Sequence, residues 1–354
     1  MSYTNYTKGL SVVGVVVPST VDKVQVSLSY QWYPPYSNPT LGSRPVGLKS
    51  LVARLLWTTK NDAHSNLWTW LHFGIDSPPN RCAKCLRLET SPQDQALCPE
   101  NLSMIRSQLK GGKKAQPATN TAYPTRLIHI EKSGRSLSCR LVETSSDTFK
   151  ESGQVSYAAL SYCWGSQDDS AKQFKTEKET LSSRLGGFAL LKKDSSILYD
   201  AIRTTLALGI RYLWVDAVCI IQDDLEDWQK ESSRMSVVFQ NAVVTICTPA
   251  STSCRQGFLS RDRVTTIIKF QSKISENVYG PYIVRLIGEI EELHHAAVDC
   301  FRFSRWYSVW AQRGWVFQEY ELSQRALIFG RTKLHIITGD GLQSETNGAL
   351  QLRR

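Results

Sequence analysis

One carboxylate interrupts an otherwise apolar run. In Tyr212–Ile221 (Tyr-Leu-Trp-Val-Asp-Ala-Val-Cys-Ile-Ile) the single charged residue is Asp216. An ionised carboxylate among apolar neighbours is costly unless it is hydrogen-bonded or lies where the structure opens to a site. Gln222 and Asp223 follow where a strand over this run would end, and ligands gather at strand ends in open α/β sheets. For Asp223, helix capping is the plainer role. Trp164-Gly165 closes a second apolar run, Tyr157–Gly165. It is either a stacking platform for a planar ring with a glycine that lets backbone approach, or a packed corner. Cys219 is a nucleophile only if His129, His294 or His295 reaches it; flanked by Val218 and Ile220, it reads more simply as an inert buried thiol. Cys82-Ala83-Lys84-Cys85, with Cys98 downstream and His72 upstream, is half of a zinc motif, and two surface thiols on a loop are the simpler account, so no metal is expected. No glycine-rich phosphate loop of the Walker or Rossmann type occurs, which argues against an ATPase or a hydride-transfer enzyme.

The bulk numbers set the frame for these residues. The chain has 354 residues, 42% hydrophobic and 21% charged, the balance of a globular protein with room for one large core plus a smaller module. The net charge of +10 is spread along the chain, without a compact basic block, so nucleic acid is not an expected partner. Nine cysteines, an odd number, with Cys163, Cys219 and Cys247 inside apolar runs, read as reduced thiols and a cytoplasmic location. The apolar run Leu10–Val17 is too short to span a bilayer, so no membrane span is expected.

The elements that must position these groups follow from periodicity. Val24, Val26, Leu28 and Tyr30 alternate with polar residues as in one half-buried strand, and Leu67, Trp70 and Leu71 suit a short helix within Trp57–Gly74. Residues 106–124 read as a linker. Thr125–Glu131 and Ser136–Val142 read as a hairpin around Ser133-Gly134. Strand 157–165, helix Ser195–Leu208, strand 212–221, helix Leu225–Asn241 and strand Ala242–Thr248 alternate as βαβαβ, the pattern of a parallel sheet with crossover helices. Asp194 or Ser195 caps the first helix and Gly209 stops it. Val264–Phe270 and Tyr282–Leu286 form an inserted hairpin, and Ala326–Gly330 with Leu334–Ile337 gives a last strand pair. The expected fold is α/β, a mostly parallel sheet flanked by helices, after an irregular N-terminal region. The domain boundaries are 1–124 for the N-terminal region and linker, 125–340 for the main domain and 341–354 for a tail.

Three blocks carry a resemblance. They are Tyr157-x-x-Leu-Ser-Tyr-x-Trp-Gly165; Tyr212-Leu-Trp-Val-Asp-Ala-x-Cys-Ile-x-Gln-Asp223, running into Trp228, Glu231, Met235 and Asn241-Ala242; and Arg313-Gly-Trp-Val-Phe-Gln-Glu319 with Leu322-Ser323-x-Arg325. In order and separation they resemble the fungal heterokaryon-incompatibility (HET) domain over about half the chain. Ile221 departs from the family's usual Asn or Asp, the usual tryptophan and cysteine after Phe329 are missing, and the chain ends at Arg354 where many relatives continue. The resemblance implies non-self recognition and programmed cell death in fungi, with a protein partner, allelic or NLR-type, and leaves self-association open. HET domains have been likened to TIR domains, flavodoxin-like modules of which some cleave NAD. That likeness implies Glu319 as the catalytic carboxylate for nicotinamide–ribose hydrolysis, with NAD as substrate and no cofactor required. The alternative for Glu319 is a helix-terminal acid paired with Arg313 or Arg325. Asp216 then holds a ribose hydroxyl or orients Arg313, or is a structural acid bonded to Ser161 or backbone amides. Trp164, Gly165, Gln222, Arg313 and Trp315 complete the expected ligand-binding set. A non-enzymatic module would instead use Trp306, Trp310 and Trp315 as an assembly surface.

Overall fold

The computed structural model describes residues 21–32, 48–59, 62–77, 89–90, 94–111, 123–133, 136–151, 155–261, 265–273, 275–289, 309–311, 313–330, 333–345 and 347–350. The chain divides into two compact units, Met1–Pro92 with Asp262–Ala296, and Gln93–Arg261 with Ala297–Arg354.

In the first unit β1 (Val21–Trp32), β2 (Leu48–Thr59) and β3 (Asp62–Ser77) run as an antiparallel meander, and β4 (Glu89–Thr90) pairs parallel with β3. The inserted hairpin forms as expected: β10 (Thr265–Gln271) and β11 (Tyr279–Glu289) complete the order β1-β2-β3-β11-β10. The helix expected within Trp57–Gly74 does not form. That stretch closes β2 and builds most of β3, with Trp57 opposite Leu67 and Leu51 opposite Phe73. Apolar residues spaced for a single helical turn are equally compatible with a strand, and the neighbouring strand decides by completing the ladder. The N-terminal region is therefore strand-built in these segments, not irregular. The Cys82–Cys85 pair lies outside the described residues.

The second unit begins earlier than expected. Where a linker was read from residue 106, α1 (Pro99–Gly111) is helical, with Glu100 in its first turn, Lys110 in its last and Ile105 fully buried. The hairpin β5 (Arg126–Ser133) and β6 (Ser136–Glu143) follows, then α2 (Asp147–Glu151) and β7 (Tyr157–Ser161). After α3 (Gln167–Ala171) and α4 (Lys178–Gly186), α5 (Ser196–Ala207) is capped by Ser195, whose hydroxyl accepts from Leu198 N–H, and Gly209 ends it at φ 81°. The run from 212 then divides into β8 (Tyr212–Trp214) and a helical turn, α6 (Asp216–Cys219). The ten-residue strand expected there is thus three residues long. Asp216 starts the turn by accepting from Ala217 N–H at 2.7 Å, and Cys219 N–H closes it on the Val215 carbonyl. An all-apolar run reports burial and not the period of the backbone, so strand and buried turn look alike in sequence.

Next come α7 (Leu225–Asn241) and β9 (Val244–Cys247), then α8 (Val316–Glu321), β12 (Ala326–Phe329) and β13 (Leu334–Thr338). Where a tail was expected, β14 (Gly341–Ser344) and β15 (Asn347–Leu350) add two more strands, Leu342 being buried opposite Ile337. The nine-stranded sheet has the order β15-β14-β13-β12-β9-β7-β8-β5-β6. Its centre, β12-β9-β7-β8, is parallel, and the wings are antiparallel, so the α/β class holds in a mixed sheet. All residues of β7, β9 and β12 are buried, as strands covered on both faces require.

Candidate functional site

In chain order the four parallel strands lie 2-1-3-4 across the sheet: β8 is on one side of β7, β9 on the other, β12 beyond it. The chain therefore reverses its sense of winding between β7 and β9, and the crevice beyond their carboxyl ends is the switch point where open α/β sheets bind ligands. Ser161 ends β7 and Cys247 ends β9. Asp216 follows the end of β8, and α8, bearing Glu319, packs on β7 and β9.

These elements enclose a cavity of about 250 Å³ lined by Trp164, Asp216, Gln222, Arg313, Trp315 and Glu319, with Trp228 and Ser232 of α7 on its wall. Six of the seven expected site residues thus line one space. Gly165 does not. Its φ is 95°, and an added Cβ would come within 2.8 Å of both Asp169 Oδ2 and Ser253 Cβ, so it is glycine for close packing against its own chain.

Glu319 is 2% exposed. Arg313 clasps it, Nη2 donating to Oε1 at 3.0 Å and Nη1 to Oε2 at 3.3 Å. The Ser161 hydroxyl also donates to Oε2 and itself accepts from Trp310 Nε1 at 2.8 Å. The ion pair is with Arg313; Arg325 instead donates to the Val243 carbonyl. Asp216, partly exposed, accepts from Ala217 N–H and, at 2.9 Å, from Trp164 Nε1. Ser161, expected beside Asp216, serves Glu319 instead. Burial pushes the Glu319 carboxyl above its ordinary value despite Arg313 and Ser161, and Asp216 adds to the rise. Asp216 is also raised by burial, against the pull of Arg313, Ala217 N–H and Trp164. Burial works against the charge of Arg313, but Glu319 and Asp216 outweigh it and hold the guanidinium above its usual range. The arrangement is two carboxylates around one cation, one acid paired bidentately with it and the other held by uncharged donors, an arrangement suited to proton transfer or to stabilising a cationic centre.

The remaining candidates separate from this group. Cys219 is fully buried in α6, burial pushes its thiol up to about 12, and its Sγ accepts from Val215 N–H, so the inert reading holds. His129 stacks on Tyr212 and pairs with Glu131; His294 and His295 lie outside the described residues. Gln222 directs its amide nitrogen to the carbonyls of Asp216 and Ile220 at 3.0 Å, tying α6 to the cavity floor. Asp223 caps α4 through Lys178 N–H, while Asp224 caps α7. Trp310, expected on an assembly surface, is buried under the site, and Trp306 is outside the described residues. The sequence reading missed Ser161 and Trp310 as supports of Glu319, and Trp228 and Ser232 as wall. Trp228, Ser232 and Met235 at i, i+4 and i+7 carried that signal, one helical face that lines the cavity, with Met235 buried and Trp228 44% exposed at its rim. Among the described residues no group of three or more His, Cys, Asp or Glu is placed to hold a metal ion, and no helix is long and apolar enough to cross a membrane.

Residues 157–319 match the family described as heterokaryon incompatibility protein (HET). No curated protein and no solved structure matches the chain. The matched span starts at β7 and ends on Glu319, so every cavity residue named above falls inside it.

Proposed function

Since the chain carries a HET domain over residues 157–319, we propose that it acts in vegetative incompatibility as a cell-death effector of non-self recognition in the fungal cytoplasm, and that it kills by hydrolysing NAD in the cavity beside Glu319. The observation that carries this reading is the convergence of Glu319, Arg313 and Asp216 with three indoles, Trp164, Trp228 and Trp315, on one crevice at the switch point of the sheet. Cleaving the nicotinamide–ribose bond develops positive charge on the sugar, and a carboxylate stabilises that charge or positions the attacking water. Indoles stack on a planar ring. A volume of about 250 Å³ suits the nicotinamide–ribose end, the rest of the dinucleotide lying outside. The central order 2-1-3-4 is that of the first four strands of the flavodoxin-like winding, which supports the likeness to TIR modules. No cofactor enters the reaction.

A second reading, an interaction module that recruits an allelic or NLR-type partner or a second copy, draws on the exposure of Trp315 (46%) and Trp228 at the rim. Expression of the chain and of its Glu319→Gln variant in a fungal cell, following NAD and viability together, separates the two. The enzymatic reading expects NAD to fall before viability in the parent and both to fall more slowly in the variant. Killing at constant NAD would leave the partner reading alone.

A further inference from the structure

We propose, on the basis of the NAD-cleavage reading, that Asp216 is the carboxylate that meets the substrate and that Glu319 is a positioning residue, which holds Arg313 and neutralises it. Both carboxylate oxygens of Glu319 are committed, Oε1 to Arg313 and Oε2 to Arg313 and Ser161, and Ser323 holds its backbone carbonyl. With 2% exposure it reaches a sugar carbon only by releasing the Arg313 guanidinium. Asp216 is set differently. It stands at the start of α6 just past the end of β8, is partly exposed, and accepts from three uncharged donors, Ala217 N–H, the Trp164 indole and the Tyr162 hydroxyl.

The charges point the same way. Two carboxylates and one guanidinium carry one net negative charge. The bidentate pair places the positive charge on Glu319, so the surplus falls on Asp216. The pyridinium ring of NAD is cationic, and so is the sugar as the bond breaks. Arg313 without its partner would oppose both. In the step itself the C1′–N bond breaks and its electron pair leaves with the nicotinamide nitrogen, which becomes neutral. Water adds to C1′, its proton passes to Asp216 and then to solvent, and the products are nicotinamide and ADP-ribose.

The test is an equilibrium titration of the full chain with nicotinamide riboside, whose ring is cationic, and with its reduced, uncharged form, read by tryptophan fluorescence. The parent should prefer the cation by roughly tenfold, one short-range charge contact partly screened by water. Asp216→Asn should lose the preference, and so should Glu319→Gln, because Arg313 then stands uncompensated. Combining Glu319→Gln with Arg313→Gln should restore it to within a few fold, and adding both to Asp216→Asn should restore nothing. Equal affinity for the two forms in the parent overturns the assignment. So does a preference that survives Asp216→Asn while the double variant fails to recover. Nicotinamide release is read separately. The charge pattern without release would remove hydrolysis and keep this assignment; release that survives Asp216→Asn would do the reverse.

Discussion

Replacing Ser161 by alanine probes the support of the site. The hydroxyl is a relay: it accepts from Trp310 Nε1 at 2.8 Å and donates to Glu319 Oε2, all three residues being buried. Alanine removes a charge-assisted bond, a loss of about 1.5–3 kcal/mol, and leaves the indole N–H orphaned in the core, a further cost of about 1–3 kcal/mol. The sum, about 2.5–6 kcal/mol, is a large share of ordinary domain stability. Trp310→Phe in the same background takes away the orphaned donor, so the two changes should be less than additive, with a coupling of about 1–2 kcal/mol. The assay is urea unfolding of the four proteins of the cycle, followed by tryptophan fluorescence and circular dichroism together. Additivity to within about 0.5 kcal/mol would mean that indole and hydroxyl do not meet, and the proposed scaffold of Glu319 would fall with it.

Other outcomes follow from the same geometry. The raised carboxyl of Glu319 means that the folded chain binds that proton more tightly than the unfolded chain does. Its contribution is therefore full below the unfolded value, the ordinary 4.5 of a glutamate, and is lost as pH climbs through the raised folded value. Urea midpoints should decline with pH in that window, and Glu319→Gln should flatten the decline; an unchanged slope would contradict the burial argument. Gly165→Ala should lower the unfolding midpoint by the equivalent of about 1–2 kcal/mol from the left-handed backbone alone, with more from the 2.8 Å approach to Ser253; a neutral result would show that the corner is not as tight as described. Cys219→Ala should leave nicotinamide release unchanged and cost about 1 kcal/mol of stability for a small buried side chain; loss of turnover in a folded variant would reinstate the thiol as a nucleophile.

The parts of the fold legible in the sequence were those where one period dominates. The pairing of β5 with β6, the Ser195 cap and the stop at Gly209 rest on local alternation and capping chemistry, which short segments express by themselves. Tyr212–Ile221 was misread as a single strand because burial on all sides erases the period, and the switch to a helical turn depends on the Asp216 side chain capturing Ala217 N–H. Residues 57–74 were misread because strand pairing with distant β11 outweighs a one-turn helical pattern. At the site, the residue types were legible and their division of labour was not. Glu319 and Asp216 are both acids near tryptophans, and only the bidentate grip of Arg313 tells them apart. The relay through Ser161 and Trp310 joins residues 149 positions apart, beyond any local pattern.

The most direct measurement of the central claim is nicotinamide release from NAD by the purified chain, timed alongside its Asp216→Asn and Glu319→Gln variants. The account predicts release by the parent, a drop of about a hundredfold or more in Asp216→Asn as expected for loss of a general base, and a smaller drop in Glu319→Gln. No release from the parent under conditions where the same preparation kills fungal cells would contradict it.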